Sequence, residues 1–123
     1  MVGSFPTMLP PALMDKVKHT QEAAVNKSTQ RKDASRLREF LTFCEGLGIR
    51  KSDALPARED ILTAWAASYA GRLAGRTVGA KLLAIRKEHE RHGLAWLGGD
   101  RLRRILKGVE ELRPEGTHHD IDA

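Results

Sequence analysis

The chain holds one cysteine and one tyrosine, and it has no apolar run approaching the roughly 18 to 20 residues that a bilayer-spanning helix needs. Each shortage excludes something. Cys44 cannot form an intrachain disulfide, which fits a reducing intracellular compartment, and its core-facing helical position makes it a small buried hydrophobe. Residues 1–11 are mildly apolar but carry neither a basic n-region nor a continuous apolar stretch, so they are not read as a signal peptide. Glycine-rich nucleotide loops, CxxC and HExxH metal spacings and a serine nucleophile elbow are all missing. His118, His119 and Asp120 cluster near the C-terminus, but a metal site needs three or four ligands on a rigid frame. No cofactor, metal, small-molecule substrate or membrane partner is therefore expected, and no catalytic constellation is found.

What is present is positive charge in chosen places. With 123 residues, 41% of them hydrophobic, the chain can build one domain around one core. Its formal charge of +5 favours a polyanionic partner, because neutralising phosphates releases condensed counterions; soluble basic domains that bind nothing acidic share this property.

Apolar residues recur at helical spacing in five segments, and no segment alternates with period two, so the fold expected is all-α, a bundle of four to five helices. Pro10 and Pro11 open a first helix with Leu13, Val17, Thr20 and Ala24 on one stripe, ending near residues 26–28, where the Ser28 hydroxyl can cap the next. The second, residues 28–45, carries Leu37, Phe40, Leu41 and Cys44 on its apolar side and stops at Gly46 and Gly48. Pro56 begins a third, residues 56–74, with Glu59 and Asp60 opposing the helix dipole and Ile61, Leu62, Trp65, Tyr69 and Leu73 on the stripe. On that stripe Tyr69 is a core residue with its hydroxyl at the edge; no general base or arginine cluster accompanies it as a nucleophile would require. The fourth helix, residues 76–92, carries Val78, Leu82, Ile85 and His89 on one face, His89 as a core or edge histidine, and stops at Gly93. The fifth, residues 100–112, follows Gly98 and Gly99, with Asp100 as N-cap and Leu102, Ile105, Leu106, Val109 and Leu112 on its stripe. Arg101, Arg103, Arg104 and Lys107 surround that stripe, and this helix either closes its own core or docks on a neighbouring protomer. The domain thus spans residues 12–114, between flexible tails at 1–11 and 115–123.

Two faces stand out. Opposite the core stripe of the second helix lie Arg31, Lys32, Ser35, Arg38 and Thr42, donors one turn apart that suit a helix laid against phosphates and base edges; a plain solvated face fits the same pattern. Opposite the core stripe of the fourth lie Arg76, Ala80, Ala84, Lys87 and Arg91. Small residues there let backbone approach a groove wall while arginines reach phosphates or guanine edges.

The order of three segments resembles the N-terminal core-binding domain of tyrosine recombinases, the phage-integrase superfamily, in a Cre-like arrangement. They are STQRKDASRLREFLTFCEGLGI, with its aromatic-Cys pair before a glycine turn; LPAREDILTAWAASYAGRLAGRTVGAKLLAIRKEHERHGL, with a Pro-led acidic helix start and a Thr-initiated helix ending in His and Gly; and DRLRRILKGVEELRP, with the pair Lys107 and Gly108. The segments themselves run from residue 28 to residue 114, and the resemblance extends over about residues 15–114. The resemblance implies a domain that grips one side of duplex DNA during recombination or integration, while the strand-cutting residues belong to a second domain that this sequence does not contain; residues 115–123 would lead towards it. Carried over by position, it implies DNA contacts from Thr29, Arg31, Lys32, Ser35 and Arg38 on one helix and from Arg76, Thr77, Ala80 and Ala84 on the other. Ala80 and Ala84 stand where some members have longer polar side chains, which shifts the expectation from base reading to shape and phosphate contact. The expected protein is a non-enzymatic, intracellular, DNA-associated chain whose partners are duplex DNA and, through its terminal helices, further copies on DNA. The alternatives are a stand-alone DNA-binding protein derived from a recombinase and a helical protein-interaction module.

Overall fold

In a computed structural model that describes residues 9–114, four α-helices follow one another, α1 (Pro11–Gly46), α2 (Glu59–Ala67), α3 (Gly75–Arg91) and α4 (Asp100–Glu111). A short 3-10 turn, Lys51–Asp53, lies between the first two, and no strand occurs among the described residues. The contacts divide the chain into two units, Met1–Lys32 and Asp33–Ala123. In the first, Leu13, Met14 and Val17 each leave about half their surface exposed. The core belongs to the second.

The first and second expected helices are one. Between Pro11 and Gly46 there is neither proline nor glycine, and the polar run at Asn26, Lys27 and Ser28 costs only a few tenths of a kcal/mol per residue of helix propensity. An N-cap at Ser28 would require a break that nothing enforces. The stop at the far end is enforced: Gly48 takes a φ of +81°, its N–H donates to the Glu45 carbonyl at 2.9 Å, and the Ile49 N–H reaches back to the Cys44 carbonyl at 2.9 Å. The same closure recurs after α3, where Gly93 has a φ of +66° and the Leu94 N–H donates to the His89 carbonyl at 2.9 Å.

The third expected helix is shorter at both ends. Pro56 to Arg58 precede α2, and the Ala57 N–H donates to His89 Nε2, 2.9 Å away on α3. After Ala67 the chain tightens into turns, with Gly71 at a φ of +79°. At the start of α4, Asp100 is the first helical residue and not the cap. The capping acceptor comes from α2, whose Glu59 carboxylate receives the Gly99 N–H at 2.6 Å and the Leu102 N–H at 3.3 Å. An acidic group there also sits well with the positive end of the α4 dipole.

The core is aromatic at its centre. Trp65, 1% exposed, meets Phe40 of α1 edge-on with ring centroids 5.0 Å apart and Tyr69 at 5.9 Å; Val78, Leu82, Ile85, Leu102 and Val109 close around them. Cys44 is 1% exposed, and burial pushes its thiol pKa up. His89 is fully buried against Trp96, with Nδ1 2.8 Å from the Ile85 carbonyl. Since Nε2 accepts from Ala57, Nδ1 carries the proton and donates, so one neutral tautomer satisfies both ring nitrogens. His89→Leu keeps an apolar side chain of similar bulk but leaves the buried Ala57 N–H without an acceptor. Chemical denaturation is expected to show a loss of about 1–3 kcal/mol; an unchanged midpoint would mean that water or a backbone shift satisfies Ala57.

Candidate nucleic-acid interface

α1 and α3 are tied together along part of the surface that the sequence had assigned to DNA. Lys87 of α3 pairs with Asp33 at 3.2 Å, and Asp33 also holds Arg36 at 3.1 Å. One and a half turns earlier, Lys81 pairs with Glu39 and lies 5.0 Å from the centroid of the Tyr69 ring, which Arg72 approaches at 5.4 Å. Ala84 lies between these two cations in the sequence and is 4% exposed. It is therefore a packing residue of the inner face of α3, and its assignment to the outer face is corrected. A wheel gives the angle of a side chain but not the width of the surface packed on it, and the buried side of α3 extends past its apolar stripe to Ala84.

The other positions are placed as follows. In the unit ending at Lys32, Arg31 and Lys32 are exposed and have no ion-pair partner among the described residues, while Thr29 is half-buried. In the unit from Asp33 onward, Ser35, Arg38, Arg76 and Thr77 are exposed and Ala80 is half-buried. Arg38 and Arg76 lack a carboxylate partner among the described residues, whereas Lys87 is spoken for by Asp33 and Arg91 by Glu88 at 2.5 Å. Burial alone would raise the Glu88 carboxyl, but His92, 2.9 Å away, and Arg91 outweigh it and hold that pKa below the ordinary carboxylate value. Arg86 is likewise paired, to Glu90 at 3.5 Å. On α3, then, Arg76 is the cation without a carboxylate partner among the described residues.

Free cations also stand where the sequence reading placed no DNA contact. Arg101, Arg104 and Lys107 on α4 are exposed without a carboxylate partner among the described residues; of the acids on α4, Asp100 is engaged with Arg103, and Glu110 with the Gly75 N–H at 2.9 Å and with Arg113, while Glu111 is exposed. Residue types and helical spacing identify these cations. Which acids are already occupied depends on tertiary contacts such as Glu110 to Gly75, 35 residues apart, and spacing does not reveal them.

Tyr69 is 7% exposed, within the core as expected. Burial first, and then hydrogen bonding to Glu39, push its phenol pKa up to about 12, away from the ionised form a nucleophile would use. No group of three or more His, Cys, Asp or Glu that could hold a metal ion occurs among the described residues; His118, His119 and Asp120 lie outside them. No described helix is long and apolar enough to cross a membrane. Comparison with protein families, with curated proteins and with solved structures finds no match for this chain.

Proposed function

We propose that this chain is a duplex-DNA-binding domain of the kind that grips DNA in site-specific tyrosine recombinases, holding the duplex while a separate domain does the cutting. The observation that carries the reading is the set of exposed cations without carboxylate partners, Arg31, Lys32 and Arg38 on α1 and Arg76 on α3, on helices whose other faces are apolar or already ion-paired. Such groups are solvated at little cost and gain most from an external polyanion, because no internal salt bridge has to be given up. Lys87 and Arg91 are a second tier, available to phosphates only by exchange with Asp33 and Glu88. Small or short side chains at Ala80 and Thr77 beside Arg76 fit phosphate and shape contact better than base reading.

A helical protein-interaction module is the second reading, favoured by the exposed Leu13, Met14 and Val17. An electrophoretic shift on duplex of random sequence separates the two: retardation that weakens as salt rises supports DNA binding, and its absence at low salt supports the module.

On the first reading the chain binds without cutting. Nicked or suicide duplex substrates should yield no covalent protein–DNA adduct, and Tyr69→Phe should keep DNA binding while costing about 1–2 kcal/mol of stability for the lost hydroxyl hydrogen bond. An adduct that disappears in Tyr69→Phe would overturn the non-enzymatic reading.

A further inference from the structure

The free cations of α4 form one i, i+3, i+6 row, inclined to the helix axis. Arg101, Arg104 and Lys107 recur every three residues; at about 100° per residue, Arg104 and Lys107 lie opposite the buried Leu102 and Val109 and Arg101 lies at the flank. From first to last the helix rises about 9 Å at 1.5 Å per residue. With one phosphate per about 3.4 Å of axis in each strand, a duplex offers a phosphate to each of the three cations. Of the acids on α4, Asp100 and Glu110 are already paired, and Glu111 is the one left exposed. The row also adjoins the interface proposed above: Lys107 and Arg76 line the same open groove, about 540 Å³ in volume, between the start of α3 and the end of α4.

We propose that Arg101, Arg104 and Lys107 form a second phosphate-contacting strip for the same duplex, continuous with Arg76 across that groove. This rests on the reading of the chain as a DNA binder and adds a surface that neither the wheel of α1 nor that of α3 contains. The strip reads no bases. It contributes affinity and orientation, which is the usual division of labour between cationic backbone contacts and groove contacts.

The test is the salt dependence of binding by the full chain to a fluorescent duplex of random sequence, between about 50 and about 200 mM monovalent salt, for wild type and for Arg101→Gln/Arg104→Gln/Lys107→Gln. At about 0.9 per phosphate contact, the log–log slope of the triple variant should be shallower by about 2.7, and the share of weakening across that range that it loses is about 40-fold. The variant Arg101→Lys/Arg104→Lys keeps the charge and should keep the wild-type slope. Thermal unfolding of each variant verifies that the helices persist, and if the triple variant does not fold, Arg104→Gln alone should remove about 0.9 from the slope. An unchanged slope in these variants, while removal of Arg31, Lys32 and Arg38 does flatten it, overturns the strip and leaves the proposed function standing. A wild-type chain with no salt-dependent binding removes the function itself, and the strip with it.

Discussion

Trp65→Ala is expected to lower the free energy of unfolding by about 3–5 kcal/mol, the range for truncating a large buried aromatic. Trp65 is 1% exposed and links three elements: Phe40 of α1 and Tyr69 beyond α2 pack edge-on against its ring, and α3 and α4 close the same cluster. Two aromatic contacts are lost together with the buried area, and a two-ring gap cannot be refilled by the short side chains of Ala54, Ala57 and Ala66 nearby in the cluster. Against a total stability of about 5–15 kcal/mol, such a loss takes the domain close to unfolding at room temperature. Ile85→Val, at a fully buried position on α3, provides the graded companion, with an expected cost of about 0.5–1.5 kcal/mol in the same denaturation series. A Trp65→Ala variant that unfolds within about 1 kcal/mol of wild type would mean that the core is not organised around this ring.

The second large effect is on binding. Replacing Arg31, Lys32, Arg38 and Arg76 together by alanine should flatten the log–log salt slope by about 3.6, four contacts at about 0.9 each. Stability should change little, because all four side chains are exposed and unpaired, and surface changes away from special features stay within about 0.5 kcal/mol each. The contrast with Lys81→Ala is informative. Lys81 is inward-facing, paired to Glu39 and set against the Tyr69 ring, so its loss should register in stability more than in the salt slope. If the quadruple variant retains both affinity and slope, the assigned faces of α1 and α3 are wrong.

The helical character of the chain, the core stripes of α2 and α3 and the glycine stops were legible because they depend on local spacing, whereas the first expected stripe, Leu13, Val17, Thr20 and Ala24, is exposed, and so is Leu112 at the end of the last. Gly48 and Gly93 end their helices by adopting positive φ, a property written into the residue type. His89 was legible as a core residue from its place among Val78, Leu82 and Ile85, but not its partner: nothing in the spacing of α3 points to the N–H of Ala57, 32 residues earlier. The cap of α4 was hidden for the same reason, since its acceptor is Glu59, 40 residues away from Gly99. Ser28 misled in the opposite direction. Its type favours a cap, yet a cap residue only marks a boundary where the chain must turn, and no breaker forces a turn there. In the candidate interface, spacing separated outward from inward residues for Arg31, Arg38 and Arg76 and failed at Ala84, which is buried outside the apolar stripe of α3. It could not sort free cations from paired ones. Lys87 and Arg91 looked equivalent to Arg76 until Asp33 and Glu88 were seen to hold them.

The most direct measurement is a titration of the wild-type chain onto duplex DNA of random sequence over a series of salt concentrations. The account predicts binding whose log affinity falls linearly with log salt, with a slope of about −3.6 or steeper, set by at least four phosphate contacts from Arg31, Lys32, Arg38 and Arg76. No binding at about 50 mM salt, or binding with no dependence on salt, would contradict it.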